Sequence, residues 1–357
     1  MHCFTKELLK WNLHHNARAL PWKGEKDPYK IWLSEIILQQ TRTGQGLNYY
    51  LTFLKHFPDV KRLALAPEQE VFKLWEGLGY YNRCKNLIAT ARDIYFERKG
   101  IFPRSHEEIL SLRGVGPYTA AAIASFAYNQ PFAVVDGNVK RVLTRYFGIK
   151  DSPDTQAGHK KISQLAQKLI PETRPAQFNQ AIMDFGATIC KPKPLCSVCP
   201  LRNNCFAYQH DRVNEFPVRI RKIKRKTRYF NYLILHTKDS VYLAKRRKSD
   251  IWQNLYEPFL IESTGILDKK SIVDSEELKP FFKSGLLKWN STSEEKKQQL
   301  THQTIIARFH EIEVTRQRKS ILGREKINLN KLARLPFPKI IAAYFSERKG
   351  SAISKHH

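Results

Sequence analysis

LRGVGPY, residues 112–118, joins one amphipathic segment to another, and its reading decides the fold. Gly114 and Gly116 flank one small residue, and Pro117 opens the segment that follows. Two glycines let the backbone approach a phosphate closely and turn its N–H groups toward it. A helix N-terminus just beyond adds a favourable dipole. The same spacing also serves a tight turn between helices in which the glycines answer to geometry alone. Working outward, apolar residues recur at helical spacing in IWLSEIIL (31–38), VFKLWEGL (71–78), HEEILSL (106–112), TAAAIASFA (119–127) and VKRVLTRYF (139–147). Short Gly, Pro and Asp punctuation separates them. The chain up to about Asp184 therefore predicts an all-α domain of many short helices.

Four of the six cysteines stand in CKPKPLCSVCPLRNNC (190–205), spaced C-x5-C-x2-C-x5-C. Cys190, Cys196, Cys199 and Cys205 in so short a run can close an S4 site around a metal or an iron–sulfur cluster. Spacing alone permits zinc or iron. Two disulfides or four idle thiols are the bland alternative. Against it, Cys3 and Cys84 are isolated and nothing marks the chain as secreted. Lys191, Lys193 and Arg202 lie between the four, so the loop is cationic.

That charge continues through the chain. There are 61 Lys and Arg against 33 Asp and Glu, a formal net charge of +28. Such an excess favours a polyanion as partner, through counterion release from phosphates. An anionic membrane surface is the rival reading, but no apolar run approaches the roughly 20 residues that span a bilayer. The N-terminal MHCFTKELLKWNLHHNARALPW has no apolar core and no cleavage site, so no signal peptide is expected and a reducing cytoplasmic setting is.

At 357 residues the chain has room for two domains. The texture changes after Cys205. Between Arg219 and Arg228 seven of ten residues are basic and none is acidic. Beyond it YFNYLILHT (229–237), SVYLAKR (240–246), PFLIES (258–263) and TIIARFHEIEV (304–314) read as strands. The expected organisation is a helical domain over 1–215, a basic linker over 216–226 and a smaller α+β domain over 227–350. The last residues, ERKGSAISKHH, read as frayed.

In VVDGNVKRVL (134–143) Asp136 precedes Gly137 and Asn138 at the start of a helical pattern, the place of an N-cap. A carboxylate there is aimed outward, and the helix N-terminus favours its ionised form. An anion beside phosphates makes sense if the reaction develops positive charge.

Taken in order, LPW (20–22), DPYKIWLSEIILQQTRT (27–43), WEGLGYYNR (75–83), LRGVGPYTAAAI (112–123), VDGNVKRVL (135–143) and the four-cysteine loop resemble the helix-hairpin-helix DNA glycosylase superfamily. The likeness is densest to its adenine DNA glycosylase (MutY) family, over about residues 5–210. It thins toward the end, where that family carries a Nudix-like domain that recognises DNA. The resemblance implies a monofunctional enzyme of base excision repair that removes adenine mispaired with 8-oxoguanine or guanine. It also implies one 4Fe–4S cluster on the four cysteines, double-stranded DNA as partner, a monomer, and a place at the nucleoid.

By the same resemblance Glu35 is the general acid, in an apolar helix that can raise a carboxyl pKa. Asp136 stabilises or traps the sugar cation, as in glycosidases with two carboxylates, and Asn138 orients the sugar site. Tyr118 stands where the endonuclease III branch has the lysine that makes a Schiff base and cuts the strand. A phenol cannot do this. The alternative reading, an endonuclease III-like glycosylase and lyase acting on oxidised pyrimidines, would have to find another amine, and Lys140 is the nearest in sequence. Gln40, Tyr80 and Tyr81 fall where the family enters the base stack, although the tyrosines also suit a core. Asp184 matches an acid facing the adenine amino group. Lys23 replaces a family arginine and offers a point charge in place of a planar fork. The first cysteine gap is one residue shorter than the family's. LTH (300–302) replaces Phe-Ser-His, with Thr301 and His302 keeping hydroxyl and imidazole. The nucleotide-hydrolase box is missing after Gly265, so the second domain is expected to read DNA and not to hydrolyse nucleotides.

Overall fold

Short capped helices build most of the first two hundred residues. They are α1 (Cys3–His15), α2 (Pro28–Leu38), α3 (Thr43–His56), α4 (Val60–Leu65), α5 (Glu68–Leu74), α6 (Tyr81–Arg92), α7 (His106–Ser111), α8 (Pro117–Tyr128), α9 (Gly137–Phe147), α10 (Gln156–Leu169), α11 (Pro175–Thr188) and α12 (Phe206–Gln209). The computed structural model describes residues 1–220 and 225–353. The chain divides into two units, Met1–Leu65 with Lys85–Arg221, and Ala66–Cys84 with Lys222–His357. Residues 66–84 thus lie inside the range read as helical domain yet pack with the second unit. Gln69 Nε2 donates to the Arg334 carbonyl at 3.2 Å, and Phe337 N donates to Glu76 Oε2 at 3.1 Å. The reason is chemical: VFKLWEGL buries Phe72 and Trp75 like any helical core segment, so its periodicity carries no information about which core takes it.

The helix ends follow local chemistry. Asp27 caps α2 by accepting from Tyr29 N at 2.9 Å, with Pro28 in the first turn. Ser105 and Glu108 form a reciprocal capping box on α7. Gly148, at φ 64°, closes α9. Helix α2 is buried nearly all round, including Trp32, Leu33, Ile36 and Ile37. A second core gathers Phe4, Leu8 and Trp11 of α1, Val142, Leu143 and Tyr146 of α9, and Phe178, Ile182 and Phe185 of α11. Cys190, Cys199 and Cys205 pack against that core, half-buried.

The second unit is α+β. Among the described residues nine strands pair: β1 (Lys226–His236), β2 (Ser240–Lys245), β3 (Tyr256–Glu257), β4 (Phe259–Ser263), β5 (Leu287–Thr292), β6 (Lys296–Gln299), β7 (Gln303–Val314), β8 (Ser320–Ile321) and β9 (Arg324–Asn328). The main order is β5-β7-β1-β2-β9-β8. β1 and β7 run parallel, in register from Lys226 opposite Gln303 to His236 opposite Glu313. Helices α13 (Lys269–Val273), α14 (Lys279–Lys283) and α15 (Lys339–Ile353) complete it. The four strands read from sequence are β1, β2, β4 and β7, the apolar ones. Of those missed, β5 and β6 are largely polar and β3 and β8 are two residues long.

Part of the basic linker reading, residues 221–224, lies outside the described residues. On either side of it Phe216 is buried and Lys226 opens β1. The closing segment read as frayed is helical to Ile353, and residues 354–357 lie outside the described residues.

Candidate active site

Glu35 sits in the third turn of α2 with 7% of its surface exposed. Burial pushes its carboxyl up to about 7. A hydrogen bond from Tyr118 pulls it partly back, and the charge of Asp136 adds to the rise. Tyr118 lies one residue inside α8, where Gly116 caps the helix and Pro117 sets its first turn. Burial, then the charges of Glu35 and Asp136, hold its phenol well above the ordinary value, so it stays protonated and donates to Glu35. Asp136 caps α9. Its Oδ1 accepts from Val139 N at 2.8 Å, and its Oδ2 accepts from Asn138 Nδ2 at 2.7 Å. The sequence favoured an Asp136 held ionised by its cap. Burial outweighs those hydrogen bonds and the nearby Arg141, and its pKa is raised above the ordinary carboxylate value. Two carboxyls with raised pKa values and a phenol therefore share one site, with Glu35 buried and Tyr118 and Asp136 partly buried.

Behind Asp136 stand residues that sequence reasoning did not single out. Arg141 donates to Asn138 Oδ1 at 2.8 Å, to the Gly186 carbonyl at 2.7 Å and to the Cys190 carbonyl at 2.8 Å. Arg145 is 4% exposed and spreads its guanidinium over the carbonyls of Lys191 (2.7 Å), Pro192 (3.0 Å), Phe216 (3.1 Å) and Val213 (3.2 Å), with Cys190 Sγ at 3.5 Å. The signal was present: Asn138, Arg141 and Arg145 are spaced i, i+3, i+7 along one helix face. Composition alone counts Arg141 and Arg145 toward the basic excess, whereas here both donate to backbone carbonyls. Lys140 is half-buried, and burial lowers its pKa, opposed by Asp154.

The four cysteines lie in the loop after α11. Burial pushes the Cys199 thiol up to about 12. An N–H at Leu201 opposes this, and charge on Cys190, Cys205 and Cys196 adds to it. Among the described residues no three His, Cys, Asp or Glu side chains gather closely enough for a single metal ion.

The hairpin glycines differ in purpose. At Gly114, φ +80°, a Cβ would come within 2.7 Å of Asn86 Cβ, so geometry demands glycine. At Gly116 a Cβ would meet open space, which leaves the backbone bare to a ligand. Asp184 is fully buried. It is held by Arg18 NH1 at 2.8 Å, Asn16 Nδ2 at 2.9 Å and Lys23 Nζ at 3.2 Å, so its charge is already matched inside the fold. Gln40 is exposed in left-handed backbone, φ 55°, directly after α2. The tyrosine pair divides: Tyr81 is 8% exposed and stacks on Phe72, whereas Tyr80 is 43% exposed. The Tyr80 hydroxyl hydrogen-bonds Thr301. Tyr80, Thr301 and His302 line a cavity of about 950 Å³ within the second unit, with Lys296, Lys297 and Lys339 around it.

The HhH-GPD superfamily of base excision DNA repair proteins matches residues 33–180. An adenine DNA glycosylase of Buchnera aphidicola subsp. Baizongia pistaciae (strain Bp) is 40% identical over 262 residues, which cover 71% of this chain and 72% of that one. The chain belongs to the adenine DNA glycosylase family. The adenine DNA glycosylase of Mus musculus is 42% identical over 216 residues, 58% of this chain and 42% of the mouse protein. Among solved structures, a thermostable thymine-DNA glycosylase superposes with a TM-score of 0.54 at 33% identity, over 58% of this chain and 95% of that one. As a member of the adenine DNA glycosylase family the protein is a DNA glycosylase of base excision repair. Among the described residues no helix is long and apolar enough to cross a membrane.

Proposed function

We propose that this adenine DNA glycosylase hydrolyses the N-glycosidic bond of adenine mispaired with 8-oxoguanine or guanine and leaves an unbroken abasic strand. The observation that carries the reading is the Tyr118 phenol on the Glu35 carboxyl, with Asp136 charged toward both. A carboxyl pushed up to about 7 keeps a protonated fraction near neutral pH and can pass that proton to adenine N7. The C1′–N9 electron pair then leaves with the base. Asp136, held by Asn138 and Val139 N, stabilises or traps the cationic sugar, and water completes the exchange. No step needs an amine, and Tyr118 offers none, which supports the monofunctional mode. Lys140 supplies at most a side reaction.

The second unit, read as Nudix-like over 227–350 together with the 66–84 segment, inspects the base opposite adenine. Its support is the cavity where Tyr80 meets Thr301 beside His302. Gln40 fills the gap left by the flipped nucleotide, and Gly114 and Gly116 hold backbone phosphate. Lys23 stands near the base through Asp184.

Cys190, Cys196, Cys199 and Cys205, near enough for charge on the other three to bear on the Cys199 thiol, fit a 4Fe–4S cluster. Cys190, Cys196, Cys199 and Cys205 would hold it, and when bound it supplies iron–thiolate bonds that fix the shape of the cationic loop. The protein acts as a monomer at the nucleoid. Incubation with A:8-oxoguanine, A:G and thymine glycol duplexes, each with and without alkali, tests the reading. Adenine release with strand breaks only after alkali is expected. Cleavage at thymine glycol without alkali would replace it by the lyase reading.

A further inference from the structure

We infer that Arg228 is a positioning residue for opposite-base discrimination, clamping two walls of the Tyr80–Thr301 cavity at a fixed separation. The inference rests on the reading of that cavity as the opposite-base site. Arg228 is only 9% exposed and does not line the cavity. Its guanidinium forks to both oxygens of Asp250 at 3.0 and 2.7 Å, and to both oxygens of Glu262 at 2.6 and 2.8 Å. The same NH1 donates to Gln303 Oε1 at 3.1 Å. Asp250 lies on one wall of the cavity, and Gln303 follows Thr301 and His302 on another. One planar cation therefore ties the two walls together, which a lysine's point charge cannot do.

The wall held by Asp250 needs holding. Trp252 and Asn254 both adopt left-handed backbone, φ 64° and 72°, without being glycine. Arg228 lies over the Phe230 ring at 4.9 Å, and Phe230 meets Trp252 edge-on at 5.9 Å, a second path to the same turn. Arg246 adds a contact to Asp250 Oδ2 at 2.9 Å, so Asp250 carries two arginines. Glu35, Tyr118 and Asp136 belong to the other unit.

The test measures single-turnover adenine release by the full chain from A:8-oxoguanine and A:G duplexes. Arg228→Met is expected to lower the ratio of the two rates by about tenfold, as misplaced contacts do. The loss falls on the 8-oxoguanine limb, and the A:G rate is unchanged. In an Asp250→Asn background, Arg228→Met is expected to change the ratio less than about twofold, the mark of one shared interaction. If the Met variant does not fold, Arg228→Lys decides by the same ratio, since it keeps charge but cannot bridge both walls. Thr301→Ala separates the possible failures. A ratio lowered by Thr301→Ala but kept by the Arg228 variants overturns the clamp and leaves the cavity reading intact. A ratio kept by both overturns the cavity reading and the clamp with it. Equal loss on both duplexes shows a structural role only and also overturns the clamp.

Discussion

Replacing Glu35 by Gln separates the two consequences of burying an acid. The amide keeps the shape and still accepts from Tyr118, but it cannot give a proton to adenine. Adenine release is expected to fall by about 10²- to 10⁴-fold, the usual worth of general acid catalysis, with DNA binding largely kept. Stability moves the other way. The climb of Glu35 from 4.5 to about 7, at about 1.4 kcal/mol per decade of acidity, makes its ionised form about 3 kcal/mol less compatible with the folded chain than with the unfolded one. The pKa is raised in the folded state, so the stability is fully present below 4.5 and is lost as pH rises through about 7. Gln cannot ionise and escapes this loss. Melting of the two proteins should therefore diverge between pH 4.5 and 7. The variant should gain roughly 2–4 °C for each kcal/mol above that window and little below it. Thermal melts from pH 4 to 9 beside single-turnover release would measure both. Parallel melting curves at every pH, or wild-type release by the variant, refute the burial argument.

Product strands should stay whole until alkali or heat is applied, and Tyr118→Lys should gain strand cleavage. Efficient cleavage by the unaltered protein at the rate of base release removes the phenol from its assigned role. If borohydride traps a covalent complex, Lys140→Ala should abolish trapping without slowing release. Protein isolated without air should be brown and carry about four irons per chain, whereas zinc in equal amount and no iron would discard the cluster. Thr301→Ala should narrow the preference for 8-oxoguanine over guanine by roughly fivefold, about 1 kcal/mol for one hydrogen bond, measured as the ratio of release rates.

The helical unit was legible because its chemistry is local. The two glycines before Pro117, the Asp136 cap and the apolar run around Glu35 each announce an element and a direction within a few residues. The apolar strands β1 and β7 were equally plain. The upward shift of Asp136 is not legible in the sequence, because the cap that favours its charge is local and the burial that opposes it is not. Asp184 reads as an acid free to meet a base until Asn16, Arg18 and Lys23 close on it from far along the chain. Tyr80 and Tyr81 are alike in sequence, yet one faces Thr301 and the other stacks on Phe72.

The packing of residues 66–84 with the second unit bears on how the protein is made. The ribosome releases Phe72 and Trp75 long before it reaches β7, which ends at Val314. From Cys84 to Val314 is about 230 residues, or roughly 10–50 s of synthesis at 5–20 residues per second. Throughout that interval a segment destined for burial waits for its partner while the helical unit closes around the gap between Leu65 and Lys85. A nascent chain stalled before β1 should therefore be cut by protease within 66–84, and one that includes α15 should not.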